Sequence, residues 1–227
     1  MEKGHLKINY WEIQKFKKDF PKGKIPLSIS SGNPYIEANN LNSDGLNLYF
    51  SKFNGPIRVL DIGAGEKAIK KALELRNIES EYVSMDVDVN NEFKYDYNDI
   101  DDINGLFDLI IMQGVLEALP LEKGLHYLEK SRDILKDSGY LVISISNTKN
   151  PNEFLNSDFA KVQHYPIVDL YGILRYLGFS EEVILRRIYT WPKELSFKRK
   201  ILNIIKIILY KLMGFDFAND VLIMIKK

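Results

Sequence analysis

The 227-residue chain contains no cysteine. A chain without thiols has no disulfide framework, no thiolate nucleophile and no zinc–thiolate site. An excess of charge of one sign is also missing, because 31 basic residues balance 31 acidic ones. This balance argues against a broad electrostatic surface for nucleic acid, so we expect no nucleic-acid partner.

Long apolar runs are scarce as well. The amino-terminal residues lack the apolar stretch of a secretory signal, which predicts a cytoplasmic location. The most apolar segment, residues 201–215, is interrupted by Lys206 and Lys211 and is shorter than the roughly 20 residues that cross a bilayer. The three histidines and the acidic residues show no spacing typical of metal ligands, so no metal site is predicted.

From residue 57 onward, strand-like apolar runs alternate with amphipathic helical segments. Alternation of this kind predicts βαβ units with right-handed crossovers and a mostly parallel sheet. Because the runs are apolar on both faces, helices should cover both sides of the sheet. The last two runs, "EEVILRRIYTW" and "DVLIMIKK", predict a closing strand pair at the carboxyl terminus.

The first 55 residues have a different character. A helical apolar stripe ends near Pro21, and residues 30–46 are rich in Gly, Asn, Ser and Pro, which is typical of a loop. We therefore predict two parts: residues 1–55 form a helical and loop extension that caps the rest, and residues 56–227 form the main domain.

The segment Asp61–Gly65, "DIGAG", lies between a predicted strand and a predicted helix. In an open α/β sheet, ligands bind beyond the carboxyl ends of the strands, and glycines allow the backbone to come close. Amides at the helix start can receive a negative group, while Asp61 offers the opposite charge. Asp86 follows Gly63 by 23 residues, a spacing at which an acid binds ribose hydroxyls. A nucleoside with an amino-acid tail would satisfy both positions.

Two other interpretations of this turn stay open at this point. It could be a tight strand–helix turn with a capping acid and no ligand. Gly63, Gly65 and Ala68 also match the G-x-G-x-x-A pattern of dinucleotide-binding proteins, although that pattern alone is weak.

Five segments in order resemble the motifs of class I S-adenosylmethionine-dependent methyltransferases of the small-molecule type. They are "VLDIGAG" (59–65), "SMDVD" (84–88), "YDYNDID" (95–101), "FDLIIMQGVLEAL" (107–119) and "ILKDSGYLVISISN" (134–147). The resemblance implies an α/β, Rossmann-like, doubly wound fold with a mostly parallel seven-stranded sheet and an antiparallel carboxyl-terminal strand pair. It also implies S-adenosylmethionine as the cofactor.

The resemblance assigns cofactor-binding roles by position. The methionine part should be surrounded by Asp61, Gly63, Ala64 and Gly65, with Gln113 beside its tail and the methyl group. Asp86 should hold the ribose and Val87 should pack on one adenine face. Asp96 should bind the adenine amine, with Tyr97 adding a backbone amide.

The catalytic residue is less defined, because Ala118 stands where the family often has a histidine. A second departure, "KDSG" in place of a Pro-Gly-Gly turn, should be harmless because the turn needs one glycine only. His164 is the candidate for proton removal from the acceptor, with Tyr165 and Asn147 as further acceptor-site candidates.

The predicted function is methyl transfer to O, N or C of a small-molecule acceptor. One alternative is a protein that binds the cofactor without catalysis and serves as a partner or sensor. Another is a membrane-peripheral enzyme that acts on a lipid or quinone through the amphipathic segment 198–214. The sequence favours packing of that segment on its own domain or in a homodimer.

Overall fold

The computed structural model describes residues 9–31, 49–88, 92–151, 160–191 and 197–227. The helices are α1 (Tyr10–Lys17), α2 (Ala68–Leu75), α3 (Leu121–Asp133), α4 (Ile167–Tyr176) and α5 (Phe197–Met213). The strands are β1 (Leu27–Ser31), β2 (Ile57–Ile62), β3 (Ser80–Met85), β4 (Phe107–Gln113), β5 (Leu135–Ser146), β6 (Val183–Trp191) and β7 (Asp220–Lys226). Short 3-10 turns occupy Ile100–Asp102 and Leu116–Ala118.

In the described part of the chain, all seven strands join one sheet in the order β1-β6-β7-β5-β4-β2-β3. Strand β7 is antiparallel to both β5 and β6, and every other pair of neighbours is parallel. The predicted mostly parallel sheet and its antiparallel carboxyl-terminal pair are confirmed. As a consequence, the carboxyl ends of β2, β3, β4 and β5 meet at one edge.

The seven strands of the sheet do not all come from residues 56–227. Residues 56–227 contribute six strands, so seven strands are not confirmed for this part, and the seventh is β1 from the amino-terminal segment. Among the described residues between β3 and β4, an isolated parallel bridge joins Tyr97 to Met85 at the end of β3. The sequence between β3 and β4 is too polar to form an inner strand of this sheet, because an inner strand is buried on both faces.

The segment of residues 9–31 is integrated into the domain at two places. Strand β1 pairs with β6, with Leu27 opposite Arg187. Helix α1 packs on α4, where Gly172 lets the two backbones approach; a Cβ there would lie 3.1 Å from the carbonyl oxygen of Ile13. The function of residues 1–55 as a cap stays a prediction.

Two layers of apolar side chains cover the two faces of the sheet. On one face, strand residues such as Leu60 and Ile62 pack with α1, α3 and α4. On the other face, Val59 and its neighbours pack with α2 and with residues 49 and 50. Burial of each such Leu or Ile contributes about 1.5–3 kcal/mol, which explains why the strands are apolar on both faces. The doubly wound architecture is therefore confirmed.

The "KDSG" segment forms a bulge inside β5 and not a turn before it. Leu135 pairs with Phe107, whereas Tyr140 pairs with Leu109, so the residues between them are extra on the β5 side. A Cβ on Gly139 would lie 3.0 Å from the carbonyl oxygen of Asp108. One glycine at this position is thus what the backbone contact requires.

Candidate active site

Asp61 is a nearly fully buried carboxyl group at the end of β2, with an exposed fraction of 3%. The Tyr82 hydroxyl donates a hydrogen bond of 2.8 Å to its Oδ2. Burial raises the pKa of Asp61 to about 7; the Tyr82 hydrogen bond opposes this rise and the nearby charge of Asp86 adds to it. Near neutral pH the group is divided between its two protonation states, so a cation placed beside it would favour the ionised form.

The glycine turn after β2 is held against the end of β3. The amides of Gly63 and Ala64 both donate to the carbonyl oxygen of Met85, at 2.8 and 3.1 Å. Gly63 has a φ of +74°, and a Cβ there would lie 2.4 Å from Val115 Cγ2. Only glycine fits this position. These two amides are used within the protein, and the role predicted for the amides at the start of the following helix stays a prediction.

Asp86 connects the turn to the next strand end. Its Oδ2 accepts from the Gly65 amide at 2.9 Å and its Oδ1 accepts from the Asp88 amide at 3.1 Å. A carboxylate has about four acceptor sites, so each oxygen retains one for a ligand hydroxyl. The neighbouring Val87 side chain is 55% exposed and presents an uncovered apolar surface. Both positions suit the ribose and adenine contacts that were predicted.

One carboxylate oxygen of Asp96 is already hydrogen-bonded within the protein. Its Oδ2 accepts from the amide and the hydroxyl of Ser84, at 2.8 and 2.7 Å. Burial acts to raise the pKa of Asp96, but these hydrogen bonds outweigh it and the pKa is lowered. The Tyr97 amide donates to the Ser84 carbonyl oxygen at 3.1 Å. Against the prediction, the structure does not offer this amide to a ligand ring.

Gln113 ends β4 and lies beside the glycine turn, because Ile62 and Met112 pair across β2 and β4. Its Nε2 atom is buried and has no hydrogen-bond partner in the described part of the chain. A buried donor without a partner costs about 1–3 kcal/mol, so a hydrogen bond from this atom to a bound ligand would be favourable. The structure thus brings Asp61, Gln113 and Asp86 to three adjacent strand ends around one turn.

Glu117 is a buried acid that the sequence analysis missed; its exposed fraction is 3%. Its Oε1 accepts from the Ser146 amide at 3.0 Å, and its carbonyl oxygen accepts from the amides of Val162 and Gln163. Glu117 therefore ties the ends of β4 and β5 to the segment before α4. The sequence signal for this residue is an acid inside the apolar run "GVLEAL".

A cavity of about 600 Å³ opens at the carboxyl end of β5. It is lined by Phe20, Gly23, Lys24, Ile25, Ile145, Ser146, Asn147, Thr148, Lys149, Pro166, Ile167, Val168, Arg187, Asp216 and Val221. Ser146 connects this cavity to the residues just described, because its amide binds Glu117 and its hydroxyl accepts from Lys161. We call it the β5 cavity.

The three acceptor-site candidates are placed differently. Asn147 lines the β5 cavity, and its side-chain amide donates to the Ala218 carbonyl oxygen at 3.0 Å. The Tyr165 side chain is buried, with its hydroxyl against Gly124 of α3, and burial raises its pKa to about 12. His164 is exposed in the segment that leads to the cavity residue Pro166, and its catalytic role stays a prediction.

Among the residues that the structure describes, no group of three or more His, Cys, Asp or Glu side chains is arranged to hold a metal ion.

A family model described as a methyltransferase domain matches residues 36–181. No curated protein matches the chain. Among solved structures, a S-adenosylmethionine-dependent methyltransferase from Archaeoglobus fulgidus has a TM-score of 0.62 and 23% identity, covering 86% of this chain and 95% of its own.

Two further solved structures have a similar fold at lower identity. The 1,6-didemethyltoxoflavin-N1-methyltransferase of Burkholderia thailandensis, with bound 1,6-didemethyltoxoflavin and S-adenosylhomocysteine, has a TM-score of 0.52 and 14% identity, covering 80% of this chain and 75% of its own. The magnesium protoporphyrin IX methyltransferase of Synechocystis PCC 6803, with bound S-adenosylhomocysteine, has a TM-score of 0.51 and 14% identity, covering 96% of each chain.

The fold, the strand-end carboxylates and the matched family agree. The chain belongs to the methyltransferase-domain family, and it has the fold of class I S-adenosylmethionine-dependent methyltransferases. The expectations of family and fold class are confirmed, and the dinucleotide interpretation of the glycine turn is set aside.

Proposed function

We propose that this protein transfers a methyl group from S-adenosylmethionine to O, N or C of a small-molecule acceptor. The observation that carries the proposal is a pair of buried polar groups beside one glycine turn. These are the Asp61 carboxyl, with a pKa of about 7, and the Gln113 amide, which has no partner in the described structure. Both fit the polar amino-acid tail of this donor, and Asp86 fits its ribose.

Each residue has a definable task in this proposal. Ionised Asp61 holds the ammonium of the donor, and Gln113 Nε2 donates to a donor oxygen. Asp86 accepts from the ribose hydroxyls and Val87 covers one face of the adenine. Asp96 Oδ1, which makes no hydrogen bond in the described part of the chain, accepts from the adenine amine. The bound donor supplies a methyl group already activated by the positive sulfur.

The protein's contribution to the rate is then alignment and exclusion of water. Holding two reactants in line can lower the barrier by roughly 7–11 kcal/mol. A base adds about 10²–10⁴-fold where the acceptor must lose a proton. The His164 imidazole is the candidate base that would accept this proton. Glu117 holds the neighbouring backbone in place through its hydrogen bonds with the amides of Ser146 and Gln163.

The size of the β5 cavity supports a catalyst over a cofactor-binding sensor. A volume of about 600 Å³ is in the range of small-molecule sites, and the lining residue Ser146 binds Glu117 through its amide. A sensor without catalysis has no need of an acceptor-sized space there.

Replacement of Asp86 by alanine tests the donor site. Loss of a charged acceptor for two hydroxyls should weaken S-adenosylhomocysteine binding about 10- to 100-fold, as measured by calorimetry. Asp137→Ala is the matched control, because this fully exposed acid lies in the β5 bulge. Equal affinities of wild type and Asp86→Ala would show that the ribose lies elsewhere.

A specific observation favours a second function, attachment to a membrane surface through α5. In the described part of the chain no helix is long and apolar enough to cross a membrane. Eight apolar residues of α5 are nevertheless exposed, Leu212 by 79%, so in the described structure these side chains are not buried against the chain's own domain. The others are Ile201, Leu202, Ile204, Ile205, Ile208, Leu209 and Met213.

The charge of α5 indicates which kind of surface its exposed apolar face would bind. The 17 residues of α5 include five basic residues and no acidic one. Lys and Arg near an anionic membrane contribute about 1 kcal/mol each, and the apolar side chains can enter the headgroup region. We propose an anionic lipid surface as the occupant, with a homodimer as the competing outcome. The cytoplasmic location stays a prediction.

Vesicle co-sedimentation tests the membrane proposal. Wild type should sediment with phosphatidylglycerol vesicles and much less with phosphatidylcholine vesicles. Ile205→Glu/Leu212→Glu should remain in the supernatant, whereas the control Leu75→Glu/Leu106→Glu changes two exposed apolar residues elsewhere and should sediment like wild type. A different result would contradict the membrane proposal: wild type binds neither kind of vesicle, and only the α5 variant elutes at a smaller size in gel filtration. The exposed face of α5 would then be a homodimer interface.

A further inference from the structure

The β5 cavity has an unbalanced set of charges. Three of its lining residues are basic, Lys24, Lys149 and Arg187, and one is acidic, Asp216. Arg187 Nη1 is already paired with Asp216 Oδ2 at 2.9 Å. In the described part of the chain neither Lys24 nor Lys149 has an ion-pair partner. Two positive charges at the cavity are thus left without compensation.

The Arg187–Asp216 pair holds the backbone that carries these lysines. Arg187 Nε donates to the Ile25 carbonyl oxygen at 2.9 Å, next to Lys24 in sequence. The Asp216 amide donates to the Lys149 carbonyl oxygen at 3.0 Å. The Lys149 amide donates in turn to Asn147 Oδ1 at 3.1 Å. Both lysine backbones are therefore positioned by the protein before any ligand binds.

Most of the remaining wall is apolar. It consists of Phe20, Ile25, Ile145, Ile167, Val168 and Val221 together with neutral polar residues at 146–148. A charge beside a concave apolar wall acts through a lower effective dielectric than in water, so its attraction for an opposite charge is stronger. Such a cavity favours a ligand with an apolar body and one negative group.

We infer that the β5 cavity binds the methyl acceptor, and that this acceptor is an anion: a small molecule with an apolar body and a carboxylate or comparable group held by Lys24 and Lys149. This inference rests on the proposed function, because it assigns the acceptor class of that same enzyme. Lys24 and Lys149 are specificity-determining residues, and Arg187 and Asp216 are positioning residues.

Two fluorescent probes that differ in one charge test the inference directly. 8-Anilinonaphthalene-1-sulfonate is an apolar anion, and N-phenyl-1-naphthylamine has the same body without the sulfonate. At low ionic strength, wild type should bind the sulfonate about tenfold more tightly than the neutral probe, and salt should reduce this preference. Lys24→Gln/Lys149→Gln should weaken sulfonate binding about tenfold and change the affinity for the neutral probe less than about twofold.

Two control variants test whether the probes bind in the β5 cavity. Lys70→Gln/Lys71→Gln removes the same charge from exposed positions of α2 and should bind both probes like wild type. Val168→Trp fills the cavity and should weaken the binding of both probes. The inference is overturned if the two lysine pairs behave alike, or if Val168→Trp retains sulfonate binding, since the probe would then lie elsewhere.

Calorimetry with S-adenosylhomocysteine on the same proteins separates the two proposals. Donor binding without probe discrimination would overturn the anionic acceptor and leave the methyltransferase function standing. Probe discrimination without donor binding would leave an anion-binding cavity and contradict the proposed function.

Discussion

Asp61→Asn is expected to weaken S-adenosylhomocysteine binding at least about 100-fold and, at about pH 8, to stabilise the ligand-free protein. The two effects have one cause. Asp61 is buried with a single side-chain hydrogen bond, from Tyr82, so its negative charge is costly until a cation binds beside it. Asparagine keeps an oxygen for the Tyr82 hydroxyl but carries no charge.

The sign of the stability effect follows from the pKa. Its ordinary value is 3.8 and the folded value is about 7, so between these values the folded state holds a proton that the unfolded state has lost. Stability of the wild type therefore falls as pH rises from about 4 to about 7 and is then constant, a loss on the order of 4 kcal/mol. Urea unfolding at several pH values should show the advantage of Asp61→Asn growing across this window. A difference that is independent of pH would contradict the explanation.

Donor binding should depend on pH for the same reason. Below about pH 7 the donor ammonium must first displace the proton of Asp61, so wild-type affinity should fall by up to about tenfold per pH unit. Asp61→Asn should lose this dependence, whereas Asp137→Asn should keep it. Tyr82→Phe removes the hydrogen bond that lowers the pKa of Asp61, so the affinity profile should move to higher pH.

Gly63→Ala should be the most destabilising of the glycine replacements at the turn. The new Cβ would lie 2.4 Å from Val115 Cγ2, and the φ of +74° is unfavourable for any residue with a side chain. We expect a loss of about 3 kcal/mol in the free energy of unfolding and a matching loss of donor affinity, since the turn must move. Urea unfolding and calorimetry measure the two effects.

Gly65→Ala separates backbone strain from the steric clash. Gly65 has a φ of +45° and no atom within 4 Å of an added Cβ, so this change should cost only about 1 kcal/mol. Val115→Ala removes Cγ2 and should restore part of the stability of Gly63→Ala but none of that of Gly65→Ala. If Gly63→Ala and Gly65→Ala cost the same, the contact with Val115 does not limit this position.

The fold class could be predicted because its signal is local. Strands such as β4 are buried on both faces and therefore consist of continuous apolar runs, and α4 shows the period of a half-buried helix. The glycine turn was also recognisable, because tight backbone contacts at Gly63 admit one residue type only. These features need no knowledge of distant partners.

Strand β1 and the β5 cavity were not predictable in this way. Leu27 gains its strand conformation by pairing with Arg187, which is 160 positions away in sequence. The residues near Leu27 contain no pattern that predicts this pairing. Lys24 and Lys149 likewise belong to segments that read separately as polar loops. Similarly, Glu117, which follows β4, is buried where it contacts Ser146 at the end of the neighbouring strand β5.

Short-range patterns in the chain were thus enough for the α/β architecture, the glycine turn and the acids at the strand ends, since burial and backbone geometry select residue types position by position. Folding alone decided that Asp61 is buried enough to raise its pKa to about 7, that the Tyr97 amide is already used, and that two lysines share one cavity. Charge, solvation and hydrogen-bond partners depend on every group nearby in space, and most of those groups are remote in sequence.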